Sequence, residues 1–228
     1  MTRTPASILF DLDGTLTDPA EGITGCLRFA LERLGRPVPP EADLRACIGP
    51  PLQTTLPALL GSDEPALARE ALALYRERFG GVGKFENQVY PGIPEALEGL
   101  RAAGHRLFVA TSKPAVYAAD ILAHFGLREF FAGVYGSELS GERSDKAELI
   151  AYLLAREALE PAACVMVGDR RHDVEGALRN GVACVGVLWG YGSRDELRAA
   201  GAPVLAERPA DILRCLTAER IPKGGAAA

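Results

Sequence analysis

The sequence predicts an α/β protein: a doubly wound parallel sheet with a helical insert after its first strand. Three observations carry this expectation. Short, nearly continuous apolar runs recur at Ser7-Ile8-Leu9-Phe10, Leu107-Phe108-Val109-Ala110 and Cys164-Val165-Met166-Val167. From Tyr90 onward such runs alternate with helical spacing, the pattern of a parallel sheet covered on both faces. Between the first run and Tyr90 only helical signals occur.

The elements follow in order. After the first strand, Ile23, Leu27, Ala30, Leu31 and Leu34 repeat at helical spacing until Gly35. Residues 41–47 form a second helix, broken by Gly49-Pro50-Pro51. Leu52, Leu56, Leu59 and Leu60 mark a third, and residues 64–79 a fourth, with Leu67, Ala71, Leu74 and Tyr75 on one face. Gly80-Gly81-Val82-Gly83 reads as a hinge. Helix 93–103 then leads to the strand at Leu107, which ends at Thr111-Ser112-Lys113. Helix 115–125, strand 133–136 and helix 146–157 precede the strand that ends at Gly168-Asp169. Helix 174–180, stopped by Gly181, strand 183–188 and a short strand at Val204-Leu205 complete the pattern. The expected organisation is a Rossmann-like core from residues 1–16 and 85–228, with a helical cap from 17–84. Residues 223–228 read as a frayed tail.

Composition narrows the function classes. With 228 residues and 48% hydrophobic residues, the chain can bury a full core. A net charge of −5 gives no nucleic-acid-binding surface. No run approaches a membrane span, and no basic, apolar leader opens the chain. Five scattered cysteines lack metal-ligand spacing and read as reduced core thiols, so the expected location is the cytoplasm. A monomer or a homodimer is expected.

Polar residues collect where the strands end. Asp11 and Asp13 follow the first strand, Thr111 and Ser112 the second motif, and Asp169 the third, with Asp173 four residues on. Arg143 and Lys146 stand just before a helix. Open α/β sheets bind ligands beyond the carboxyl ends of their strands. Carboxylates from two strands make a hard oxygen site suited to Mg²⁺. Hydroxyls, backbone N–H groups and a cation suit phosphoryl oxygens. A carboxylate nucleophile beside a second carboxylate suits two-step transfer.

The motifs ILFDLDGTLTD, LFVATSKP, RSDK and VMVGDRRHD occur in an order that resembles the haloacid dehalogenase superfamily of phosphohydrolases. CIGPPL, FENQVYPGIPEAL and GVLWGYGS are similar to its phosphoglycolate phosphatase-like branch, whose members are described as phosphatases or 5′-nucleotidases. The resemblance implies a Mg²⁺-dependent phosphatase for a small phosphorylated metabolite. It assigns Asp11 as the nucleophile that becomes aspartyl phosphate and Asp13 as acid, then base. It gives the metal to Asp11, Asp169, Asp173 and the Asp13 carbonyl, and the phosphate oxygens to Thr111 and the Ser112 N–H. The phosphate-binding cation is Lys146 or Arg143, with Lys146 the better match to the family pattern. A sugar phosphomutase shares the first motif, and a phosphoaspartate receiver is an alternative from another class.

Plainer roles stand beside these. Asp18 can cap a helix, and Thr111-Ser112 can cap the helix near Pro114. Gln53, Arg45 and Arg76 either point at a substrate or, the plainer reading, sit at the surface, and His105 and His124 read as surface or helix-end residues. Trp189-Gly190-Tyr191-Gly192 either flanks the cleft or packs a loop. His172 has no catalytic role to fill.

Overall fold

The structure is a computed structural model and describes residues 7–217; the tail expected at 223–228 lies outside them. Strand β1 (Ser7–Phe10) leads to β2 (Thr17–Asp18) and four helices: α1 (Ala20–Arg33), α2 (Glu41–Arg45), α3 (Leu52–Leu60) and α4 (Pro65–Arg78). A π-helical turn, Phe79–Gly83, and β3 (Gln88–Val89) lead back to α5 (Ile93–Ala102). Then come β4 (Arg106–Pro114), α6 (Ala115–His124), β5 (Gly133–Ser137), α7 (Lys146–Arg156), β6 (Cys164–Gly168) and α8 (Arg171–Arg179). The chain closes with β7 (Ala183–Val187), α9 (Arg194–Ala199), β8 (Val204–Ala206) and α10 (Ile212–Thr217).

Six strands form one sheet in the order β5-β4-β1-β6-β7-β8, with every pair parallel. The strand sequence reverses direction beside β1, which pairs with β4 on one edge and β6 on the other. This is the switch point where α/β sheets open a ligand crevice. The apolar runs are continuous because both faces are covered. Ile8, Phe10, Val109, Val165 and Val167 pack on one side. Leu9, Phe108, Ala110 and Met166 pack on the other. All five cysteines are unpaired and buried. Among the described residues, no helix is long and apolar enough to cross a membrane.

Several elements differ from the expectations. The two-residue strands β2 and β3 carry too few residues to show a period, yet they pair antiparallel, Thr17 with Val89 and Asp18 with Gln88. They tie together the chain entering and leaving the helical segment. The glycine-rich stretch continues α4 as a π-helical turn. Gly22 makes that packing close: a Cβ there would lie 2.0 Å from the Gly83 carbonyl oxygen. Helix α8 begins three residues before the expected start, because Asp173 accepts the Arg170 N–H at 3.1 Å and closes its first turn. Of the two places expected for His105, surface or helix end, the structure shows the second: it is 7% exposed and lies just past α5, its backbone N–H held by the Leu100 carbonyl at 3.1 Å.

Candidate active site

The carboxyl ends of β1, β4 and β6 and the first turn of α7 converge on one cleft. The registers of β1 with β4 and β6 place Phe10 beside Val109 and Val167, so Asp11 is level with Ala110 and Gly168, and Thr111 and Asp169 follow one residue further on. Asp11, Asp13, Thr111, Lys146, Asp169 and Asp173 are all buried. Ser112 lines the same cleft.

Lys146 is the hub of one group. Its Nζ lies 2.9 Å from Asp11 Oδ1 and 2.7 Å from Asp173 Oδ1, and it donates to the Ala110 carbonyl at 3.0 Å. Asp145 caps α7, accepting the Ala147 and Glu148 N–H groups, and so fixes the turn that carries Lys146. Asp169 accepts Thr15 Oγ1 at 3.2 Å and the Tyr191 N–H at 2.8 Å. Two glycines let the chain close around it. Gly14 has φ +86°, and a Cβ there would lie 2.2 Å from Asp169 Oδ2. At Gly190 a Cβ would lie 2.4 Å from Asp169 Cβ.

The electrostatics call for a cation. Asp11, Asp169 and Asp173 offer ligand oxygens within 4.8 Å of one another. Asp11 and Asp173 share the one ammonium of Lys146, and Asp169 forms no salt bridge among the described residues. Asp11 Oδ1 and Asp173 Oδ1 accept no hydrogen bond of good geometry. Burial pushes the Asp169 carboxyl well above its usual range, with Asp173 and Asp11 adding to it. Burial likewise lifts Asp173 to about 6, against the pull of Lys146. Burial opposes the Lys146 charge, but Asp11 and Asp173 outweigh it and raise its pKa. Hard, clustered, under-compensated oxygen donors fit a divalent cation such as Mg²⁺.

Asp13 belongs to a second group. Both its carboxylate oxygens lie 2.7 Å from Lys113 Nζ. Burial raises its pKa, and Lys113 works against that rise. Two acids that look alike in sequence thus have different partners.

Arg143 requires a correction, because the structure does not bring it to the cluster. Its guanidinium pairs with Glu138 and Glu142 and sits 4.6 Å from the Tyr152 ring centre. Gln53 and Arg76, read as surface or substrate-facing, line the cleft; Gln53 is also exposed, and Arg76 donates to the Leu139 carbonyl at 2.6 Å. Thr111 does not cap α6; its Oγ1 accepts the Lys113 N–H at 3.3 Å. Asp18 does serve the start of α1, accepting the Ala20 N–H at 3.1 Å. Trp189 and Tyr191 pack the strand-end loops, Trp189 through its Nε1–H to the Thr15 carbonyl at 3.0 Å, Tyr191 through Asp169 and Asp18. Lys113, Thr15 and Arg170 escaped sequence reasoning. For Lys113 the signal was its place directly after two strand-end hydroxyl residues. Arg170 reaches across the cleft rim, donating to the Ile48 carbonyl at 2.5 Å and pairing with Glu196.

The family described as haloacid dehalogenase-like hydrolase matches residues 8–187. The chain is 56% identical over 193 residues to a 5′-nucleotidase of Pseudomonas aeruginosa, covering 85% of this chain and 87% of that protein. It is 44% identical over 205 residues to the tyrosine-protein kinase PtkA of Mycobacterium tuberculosis, covering 89% of this chain and 69% of that protein. The solved structure of a predicted phosphatase from Clostridium acetobutylicum superposes with a TM-score of 0.88 at 39% identity, covering 93% of this chain and 100% of that one. A sheet that opens at β1, acids at its strand ends and these likenesses agree: the chain belongs to the haloacid dehalogenase-like hydrolase family.

Proposed function

We propose that this phosphoric monoester hydrolase acts on a small phosphomonoester, phosphoglycolate-like or a nucleoside monophosphate, through an aspartyl-phosphate intermediate. The observation that carries the reading is the unequal pairing of Asp11 and Asp13. Asp11 sits among the carboxylates and Lys146, where phosphoryl charge is neutralised. Asp13 stands apart, paired with Lys113 and outside the Lys146 group, and burial raises its pKa toward the proton-carrying form.

In the first step an Asp11 carboxylate oxygen bonds to phosphorus as the ester P–O bond breaks, and Asp13 gives its proton to the leaving oxygen. In the second, Asp13 takes a proton from water, whose oxygen displaces Asp11 and releases inorganic phosphate. Thr111 and the Ser112 N–H hold phosphoryl oxygens, and Lys146 fixes the direction of Asp11. Asp11, Asp169, Asp173 and the Asp13 carbonyl would hold Mg²⁺, which when bound supplies charge neutralisation. The helical segment, taken as residues 17–84, acts as a cap that excludes bulk water and selects the leaving group. The cleft, which holds Asp11, Asp13, Thr111 and Ser112 and is walled by Leu52, Leu72 and Phe79 of the helical segment, suits a small metabolite better than a protein chain. Buried, unpaired cysteines suit a reducing cytoplasm.

The test is phosphate release across phosphoglycolate, nucleoside monophosphates, sugar phosphates and p-nitrophenyl phosphate with Mg²⁺. The expected result is release from one of the first two classes, abolished in Asp11→Asn. Sugar-phosphate isomerisation without release would favour a mutase, and a long-lived phosphoprotein without turnover a receiver.

A further inference from the structure

Lys113 is the second lysine of the cleft, and the fold goes to some length to place it. The pairing of β4 with β5 shifts register between Thr111 and Pro114. Such a bulge re-aims the side chains it carries. It is supported from β5: Ser137 Oγ donates to the Ser112 carbonyl at 2.9 Å. At Gly136 a Cβ would lie 2.4 Å from the Lys113 carbonyl oxygen, so only glycine leaves room for the bulge. Lys113 consequently turns into the cleft, where its side chain is 6% exposed.

The two lysines have different free capacity. An ammonium has three donors. Lys146 meets Asp11, Asp173 and the Ala110 carbonyl. Lys113 meets Asp13 alone among the polar groups of the described residues. Its other neighbour is the face of Phe79, 4.8 Å from Nζ, a favourable place for a cation. That ring is itself held between Tyr75 and Tyr117, at 5.3 Å and 5.2 Å. Lys113 is therefore a cation clamped by an aromatic shelf on one side and directed at Asp13 on the other.

We propose that Lys113 is a positioning residue for the leaving-group half of the reaction: it grips both oxygens of Asp13 and keeps one when the other turns to the ester oxygen. This rests on the reading of Asp13 as the proton donor. When Asp13 carries the proton, one carboxyl oxygen still accepts from Lys113 while the other donates to the departing oxygen. The first step then proceeds as above, with the proton moving from Asp13 to the leaving group and no change at Lys113.

The experiment compares Lys113→Met, Lys113→Arg and Asp13→Asn on two esters with Mg²⁺. One is an alkyl phosphate, whose leaving oxygen needs a proton. The other is p-nitrophenyl phosphate, whose leaving group departs without one. A well-placed general acid contributes about 10²-fold or more. Lys113→Met is expected to lose about that factor in kcat on the alkyl ester, with little change in KM, and only a few-fold on the aryl ester. Lys113→Arg should recover part of the alkyl-ester rate, and Asp13→Asn should show the same ester selectivity in the first step, read as single-turnover release of the leaving group, while the shared second step slows its turnover on both esters. Equal losses on both esters for Lys113→Met, with Asp13→Asn still selective, would overturn the role of Lys113 alone. Unselective loss of that first step in Asp13→Asn would overturn the acid role beneath it. If Lys113→Met does not fold, Lys113→Gln takes its place with the same expectation.

Discussion

Removing the divalent cation should make stability fall as pH rises across the acid range, opposite to the usual behaviour of a paired carboxylate. The cause is Asp173. Burial lifts its carboxyl from 3.8 to about 6 in the folded protein, so the folded state binds this proton more tightly than the unfolded chain does. Its contribution is fully present below the unfolded value and is lost as pH rises through the folded one. A shift of roughly two pH units corresponds to about 3 kcal/mol at ~1.36 kcal/mol per unit. Asp169 is shifted in the same direction, so its contribution adds. The assay is urea unfolding of EDTA-treated wild type and Asp173→Asn between about pH 4 and pH 7, the window in which the linkage acts. The stability of wild type relative to Asp173→Asn should fall by about 3 kcal/mol across it. Mg²⁺ at about a hundredfold over its Kd should add ~2.7 kcal/mol at the upper end and much less at the acid end, where protons compete for its ligands. A flat or rising difference, or a Mg²⁺ effect independent of pH, would refute the claim that these carboxylates form an under-compensated cation site.

Two further outcomes follow from the same geometry. Gly14→Ala must adopt φ +86° with a methyl 2.2 Å from Asp169 Oδ2. Backbone strain alone costs about 1–2 kcal/mol, so urea unfolding should show at least that loss, together with weaker Mg²⁺ binding by calorimetry. Lys146→Met leaves Asp11 and Asp173 without their ammonium. Stranding buried charges in this way costs about 3–5 kcal/mol, to be read as a lowered urea midpoint of the metal-free protein that Mg²⁺ partly restores.

Much of this was legible in the sequence for a physical reason. A strand buried on both faces must be apolar throughout, so β1, β4 and β6 announced themselves, and whatever polar residue ended each run had to lie at the sheet edge. That logic located Asp11, Thr111 and Asp169 without any contact information. Strand-end logic alone could not separate Lys146, the first residue of α7, from Arg143, three residues before it, and only the family pattern favoured Lys146; the cap at Asp145 and the close approach of Gly176, where a Cβ would lie 2.9 Å from Lys146 Cγ, decide which one turns inward. Nor could it show Lys113, whose direction depends on a bulge set by Gly136 and Ser137 on another strand. The β2–β3 pair was hidden for a similar reason: its partners are two residues each and far apart in the chain.

The central claim is that Asp11, not Asp13, takes the phosphoryl group. Acid quench of the enzyme during turnover, followed by mass spectrometry of its peptides, tests this directly. With p-nitrophenyl phosphate as substrate, the expected result is a transient phosphoryl adduct on Asp11, absent in Asp11→Asn and more abundant in Asp13→Asn, where adduct formation needs no proton and water attack is slowed. Active turnover with no adduct, or with the adduct on another aspartate, would contradict it.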